Sequence, residues 1–307
     1  MRIVFMGTPG FASVSLERLY KDGHDVVGVF TQPDKPRNRG MKVSFSPVKE
    51  VALAHGSKVY QPISIRDGMA ANIIRELNCE IIFVVAYGKL LPVEILNLPL
   101  YGCINIHASL LPKYRGAAPI QWAILKGETE TGVTSIYMAE ELDAGDVIFS
   151  KRLSIGDDET AGELHERLSI AGAELLCETL DAVSKGKAIR VPQNHSEASF
   201  APPLSKDISP IDWTDTALNI KCKIRGLNPW PVATAQLGGE IFKVFSADIS
   251  NSSATNKKPG EIVTTGHHGI EIACADATVI IKELQASGGK RMKAGEYLKG
   301  HSDLIGN

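Results

Sequence analysis

The sequence predicts an α/β chain in two domains: an open, mostly parallel sheet with helices on both faces, followed by a small β-barrel. Three observations carry that prediction. The chain has 307 residues, more than a single core usually organises. Short, continuously apolar runs alternate with helical patterns through the first half, as parallel strands buried on both faces require. After roughly residue 185 the alternation gives way to short strand-like runs between glycine-rich or polar breaks, which suits a barrel.

The elements follow in chain order. Arg2–Met6 is apolar and meets Gly7-Thr8-Pro9-Gly10 at once, so it reads as a first strand and a tight turn. A helix over Phe11–Lys21 has Val14, Leu16 and Leu19 among its apolar positions. Asp25–Phe30, Glu80–Ala86, Gly102–His107 and Gly132–Met138 are the next strands. In a Rossmann-like sheet of this kind, ligands bind beyond the carboxyl ends of the strands. The first domain is expected over 1–188. A polar linker with Pro192, Pro202 and Pro203 is expected over 189–206. Ala233–Leu237, Glu240–Asp248, Gly269–Ala275 and Thr278–Leu284 then build an OB-like barrel within 207–307.

Composition narrows the function classes. Hydrophobic residues make up 44% and charged residues 22%, which suits a folded chain with a real core. A net charge of −2 argues against indiscriminate nucleic-acid binding and leaves room for a local basic patch. Cys79, Cys103, Cys177, Cys222 and Cys274 form no CxxC pair or Cys/His motif, so reduced thiols, no metal and a cytoplasmic location are expected. The N-terminal apolar run is too short for a signal peptide, and no stretch has the length to span a membrane. A monomer is expected. The turn after the first strand lacks the third glycine of GxGxxG, and no acidic residue ends Asp25–Phe30, which excludes a nicotinamide enzyme.

The segment Cys103–Pro112 carries the chemistry. Side chains alternate along a strand, so Asn105 and His107 point together while Ile104 and Ile106 face the other way. A carboxamide beside an imidazole at a strand end can stabilise an oxyanion and move a proton. Such a pair also caps helices and closes loops, and Asp143 in Leu142-Asp143-Ala144-Gly145 could be only a turn residue, so context decides. Ser109–Pro112 (SLLP) runs on through Lys113-Tyr114-Arg115-Gly116 and Ala117-Ala118-Pro119-Ile120. Together with the downstream Leu142–Asp146 loop and the Gly7-Thr8-Pro9 start, these strings closely resemble the folate-dependent formyltransferases. Phe30–Asp34, Val85-Ala86-Tyr87-Gly88, Ile211-Asp212-Trp213 and Arg225–Pro231 extend the resemblance into the second domain. Gly10, where many members are acidic, and Ala108, where glycine is common, depart from the pattern without touching the chemistry.

The resemblance implies 10-formyltetrahydrofolate as formyl donor and the methionyl α-amine of charged initiator tRNA as acceptor. It assigns Asn105, His107 and Asp143 to catalysis through a tetrahedral intermediate, with Asp143 orienting His107 or relaying protons. It places the folate against Ser109, Leu110, Leu111 and Pro112, with Tyr87 and Gly88 alongside. Neither a metal nor a covalent nucleophile is required, and Ser109 has no argued base. Lys35, Arg37, Arg39, Lys42 and Lys49 form a basic loop expected at the acceptor end of the tRNA. Basic residues of the barrel, Lys221, Lys223, Arg225 and Arg291 among them, are expected to grip phosphates. Enzymes formylating glycinamide ribonucleotide or amino sugars would share the catalytic centre. An RNA-binding protein on a degenerate formyltransferase fold is the alternative of another class.

Overall fold

The computed structural model describes residues 1–37, 42–250 and 256–301. Contacts divide the chain into two compact units. The first holds Met1–Pro119, Glu130–Ser154 and His165–Pro202; the second holds Ile120–Thr129, Ile155–Leu164 and Pro203–Asn307. Residues 189–202, which the sequence reads as linker, therefore stay with the first unit.

The first unit is built on seven strands. They are β1 (Arg2–Gly7), β2 (Asp25–Phe30), β5 (Val59–Tyr60), β6 (Ile81–Val85), β7 (Cys103–His107), β9 (Glu130–Tyr137) and β10 (Val147–Ser154). Their order is β10-β9-β7-β6-β1-β2-β5. The run from β7 to β5 is parallel, while β9 and β10 pair antiparallel at the other edge. Two short ribbons lie outside the sheet: β3 (Lys35–Arg37) with β4 (Lys42–Ser44), and β8 (Arg115–Gly116) with β11 (Phe200–Ala201).

Helices cover both faces, as the sequence predicts. On one face, Val4, Met6, Ile82 and Val84 share a core with Ala70, Ala71 and Ile74 of α3 (Met69–Leu77) and Ile95 of α4 (Val93–Leu96). The opposite face takes α1 (Gly10–Lys21), which buries Ala12, Leu16 and Leu19 at helical spacing. Its Arg18 and Lys21 sit in the last turn, where cations suit the helix dipole. Gly172 of α6 (Ala161–Ser184) leaves room for Ile106 and Phe11, since a Cβ there would stand 3.3 Å from Ile106. The helix α2 (Pro47–Ala54) starts on Ser46, whose hydroxyl accepts from the Lys49 amide at 3.1 Å.

The second unit begins with α5 (Pro119–Leu125), apart from Pro119 itself, and contains an antiparallel sheet. Its strands are β12 (Ala233–Leu237), β13 (Glu240–Ser250), β14 (Ile262–Gly266), β15 (Gly269–Ala273), β16 (Thr278–Gln285) and β17 (Met292–Lys293). The order is β12-β13-β16-β15-β14, with β17 on β16. Alternating side chains such as Phe242, Val244, Ile270, Ile272, Val279 and Ile281 fill a core closed by α7 (Ala217–Gly226) and α8 (Ala294–Lys299). The arrangement is that of a small barrel domain.

Candidate active site

The carboxyl ends of β1, β2 and β6 are tied together by side chains on the turns that follow them. The Thr8 hydroxyl and the Gln32 amide both donate to the Tyr87 carbonyl, at 3.2 and 3.0 Å. Ala86 and Gly88 around that carbonyl take positive φ, 45° and 81°, and both are exposed. The Tyr87 ring itself is buried in the core with its hydroxyl unpartnered, and burial pushes the phenol up to about 12. What Tyr87 offers the crevice is therefore backbone.

At the end of β7 the alternation is as the sequence predicts. Asn105 pairs with Val84 of β6 and Ile136 of β9, which fixes it at the sheet's centre, and His107 pairs with Thr134. Both side chains are buried and turn to Asp143. The Asn105 amide donates to Oδ1 at 3.2 Å, and Nδ1 of His107 lies 3.6 Å from Oδ2. The Gly116 amide donates to Oδ2 at 2.9 Å. Nε2 of His107 lies 2.9 Å from the Tyr114 carbonyl. Both ring nitrogens thus face acceptors, but only the Nε2 contact has hydrogen-bond length. His107 is anchored through Nε2, and its Nδ1 edge is held loosely.

Asp143 sits at φ 50°, a left-handed conformation that Asp tolerates in turns. Gly145 follows where nothing larger fits: a Cβ would lie 1.7 Å from the Tyr137 carbonyl oxygen. The loop thereby lies flat across the end of β9.

The SLLP segment is held from below. The Thr134 hydroxyl donates to the Ser109 carbonyl at 2.6 Å and accepts from the Leu111 amide at 3.2 Å. Ser109 is fully buried and spends its hydroxyl on the Lys113 carbonyl at 2.6 Å, which commits it to holding the turn. Leu110 lies over Gly132, where a Cβ would come within 2.5 Å of its Cδ2. Leu110, Leu111 and Pro112 are half-buried, beside Asn105 and His107 in the chain.

The basic loop divides. Arg39 lies outside the described residues, as do the side chains of Lys35, Arg37 and Lys42. Lys49 is described and engaged: its ammonium meets Asp34 at 2.5 Å and Gln61 at 2.8 Å, and lies 4.0 Å from the centre of the Phe45 ring. In the second unit, Lys221 pairs with Asp158, Lys223 donates to the Pro210 carbonyl, and Arg225 donates to the Gly156 carbonyl. Arg291 pairs with Glu283. These cations are committed to local partners.

Two residues escape sequence reasoning altogether. Arg115 is buried and Gln193 is buried with it, and both connect to the Asp143 loop. Among the described residues one Asp/His/Cys group has ligand atoms within 4.8 Å of one another: Asp22, His24 and Cys177. It lies at the carboxyl end of α1, away from the strand ends that carry the site, and Asp22 already pairs with Arg18 at 2.7 Å. Among the described residues no helix is long and apolar enough to cross a membrane.

A half-buried carboxylate gathering a carboxamide, an imidazole and a backbone amide above an open α/β sheet is the arrangement of a candidate group-transfer site. The model of the formyl transferase family matches residues 1–180, and that of the formyl transferase C-terminal domain matches 203–302. The chain is 47% identical to the methionyl-tRNA formyltransferase of Alkaliphilus oremlandii, covering 100% of this chain and 99% of that protein. It is 48% identical to that of Caldanaerobacter subterraneus, covering 98% and 97%. The chain belongs to the formyl transferase family and, within it, to the methionyl-tRNA formyltransferases.

Solved structures share the fold. The N-formyltransferase from Helicobacter canadensis, in complex with folinic acid and dTDP-3-aminofucose, matches with a TM-score of 0.67 at 20% identity. That match covers 91% of this chain and 98% of the other. HypX from Aquifex aeolicus, in complex with tetrahydrofolic acid, matches with a TM-score of 0.63 at 20% identity. The match covers all of this chain and 48% of HypX, so the chain spans about half of that protein.

Proposed function

We propose that this chain moves the formyl group of 10-formyltetrahydrofolate onto the α-amine of methionine carried by charged initiator tRNA, for translation initiation. The observation that carries the proposal is the single carboxylate, Asp143, shared by Asn105, His107 and the Gly116 amide. The 45–48% identity to methionyl-tRNA formyltransferases over nearly the whole chain supports the acceptor. The likeness to structures holding tetrahydrofolic and folinic acid is in keeping with the donor.

The neutral amine nitrogen attacks the formyl carbon and negative charge moves onto the formyl oxygen. The tetrahedral intermediate then collapses, the bond from carbon to the folate nitrogen breaks, and the proton lost by the amine ends on that nitrogen. Donors aimed at the developing oxyanion lower the barrier because they bind it more tightly than the ground-state carbonyl. Asn105 has two amide hydrogens; one is spent on Asp143 and the second serves the oxygen. His107, anchored through Nε2, turns its loosely held Nδ1 edge to the reacting atoms. Asp143 keeps both side chains in line and takes part in moving the proton. The folate lies against Ser109–Pro112 and the exposed turn at Gly88, read by backbone groups and the half-buried leucines. Arg39 and its neighbours receive the acceptor stem, and the barrel grips the tRNA backbone. The enzyme works as a cytoplasmic monomer.

The test is formyl transfer from 10-formyltetrahydrofolate to charged initiator tRNA, with His107→Ala as control. Robust transfer by the parent and a loss on the order of 10²–10³ in the variant are expected. Transfer to an amino-sugar nucleotide instead of the tRNA would overturn the acceptor and keep the centre. Arg39→Ala is expected to raise KM for the charged tRNA while leaving folate affinity alone; an unchanged KM would remove the loop from tRNA binding.

A further inference from the structure

Asp143 is well placed relative to Asn105 and His107, yet its own loop has few local means of holding it there. Residues 141–146 form no regular element, and Asp143 occupies a left-handed conformation. The restraint comes from a stretch 50 residues downstream. The Gln193 side-chain amide donates to the Asp143 carbonyl at 2.8 Å and to the Gly145 carbonyl at 2.7 Å. Both amide hydrogens are thus used on the two peptide groups that bracket the loop's crest. Its oxygen is engaged as fully: Nη2 and Nε of Arg115 donate to Oε1 at 2.7 and 3.2 Å. The Arg115 guanidinium is buried, and its Nη2 also meets Nδ1 of His195 at 3.3 Å.

The surrounding backbone keeps this carboxamide in register. Upstream, Val191 exchanges two backbone hydrogen bonds with Val147, at 2.8 and 2.9 Å, beside the Asp143 loop. Downstream, β11 pairs with β8, and the Ser199 hydroxyl and carbonyl take the Tyr114 and Arg115 amides at 2.9 and 2.8 Å. The same stretch therefore grips Tyr114 and Gly116, whose carbonyl and amide touch His107 and Asp143. Residues 191–201 form a strap that joins the two halves of the site.

We infer that Gln193, oriented by the buried Arg115, is a positioning residue that sets Asp143 against Asn105 and His107. The inference rests on the assignment of Asp143 to the reacting centre. A charge-assisted pair is stronger and better aligned than a neutral one, so Arg115 holds Oε1 and thereby aims both N–H groups. A carboxylate displaced by about 1 Å loses its alignment with the transition state, at a cost on the order of 10²-fold.

The test is a double-mutant cycle in the full chain, using 10-formyltetrahydrofolate and charged initiator tRNA. Gln193→Glu keeps the shape and the Arg115 contact but turns an acceptor onto the two carbonyls. It is expected to lower kcat on the order of 10–100-fold with both KM values nearly unchanged. Asp143→Asn is expected to lower kcat at least as far, and the double variant to be no slower than Asp143→Asn alone, because Gln193 acts through Asp143. A crippled Asp143→Asn beside a fast Gln193→Glu, or losses that multiply in full, would overturn this inference alone. A near-normal Asp143→Asn would overturn the site assignment and the inference with it. If Gln193→Glu does not fold, Gln193→Asn, whose donors fall one methylene short, takes its place in the cycle with the same expected pattern.

Discussion

Asp143 and Gly145 show how much a single position can demand. The carboxylate needs a left-handed turn to reach Asn105 and His107, and the turn needs Gly145 to pass the end of β9. At Gly145 the obstacle is the Tyr137 peptide group: a Cβ would stand 1.7 Å from its oxygen and 2.9 Å from its carbon. Backbone in a sheet does not yield as a side-chain tip does, so the loop must move instead. Gly145→Ala is expected to cost about 1–3 kcal/mol of stability and to cut kcat far more than the melting temperature suggests. Thermal melts beside steady-state kinetics check this; a variant with parental kcat would release Asp143 from its dependence on the turn. At this scale the meeting of Asn105, His107 and Asp143 was legible, because two short motifs bring them into one candidate site. Arg115 and Gln193 were not. Arg115 lies in the Lys113–Gly116 stretch, where nothing in the sequence assigns it a role, and Gln193 stands among polar and proline residues while its amide reaches carbonyls 48 to 50 positions away.

Elements were legible where their apolar residues run on or alternate cleanly. The strand β2, apolar after Asp25, and the cleanly alternating β12 were bounded from sequence to the residue. The strands β10 and β14 were missed: half-exposed sequences such as VIFSKRLS lose the apolar signal at a sheet edge. The basic loop was legible as charge, and only structure separates its parts. Lys49 is a root of that loop, locked to Asp34 and Gln61, which in turn reaches the Gln32 carbonyl at the end of β2. The Lys49 ammonium holds the Asp34 carboxyl below its ordinary 3.8. A carboxyl depressed in the folded state stabilises it at pH values above the unfolded 3.8, and that gain drains away as pH falls through the folded value. Asp34→Asn is therefore expected to lower the melting temperature at neutral pH, with the gap closing as the pH drops below 3.8. Melts of both proteins across that range decide it; a gap independent of pH would mean that the ion pair is not what anchors the loop root.

The two cores were legible at the scale of the whole molecule, from length and from the change of pattern near residue 185, whereas the exchange of segments between the two units was not. Residues 120–129 and 155–164 pack with the second unit, although they lie within 1–188, the stretch that the sequence assigns to the first domain. No local pattern marks such an exchange, since it depends on contacts such as Leu125 against the barrel core. The same two cores decide what becomes of the thiols. All five cysteines are free, and Cys103, Cys222 and Cys274 are buried. Burial pushes Cys79, Cys177 and Cys274 up to about 11 and Cys103 further still. The thiolate is the reactive form, so at pH 8 these four groups are almost wholly protonated, and Cys103 and Cys274 are buried as well. The folded protein is expected to react slowly with a disulfide reagent at pH 8, and the denatured chain to release five equivalents at once. Fast reaction of one equivalent in the native state would locate a thiol whose surroundings open in solution. If that thiol were Cys103, two residues before Asn105 on the face that carries the site, its labelling would report opening of the sheet around β7, where the chemistry is proposed.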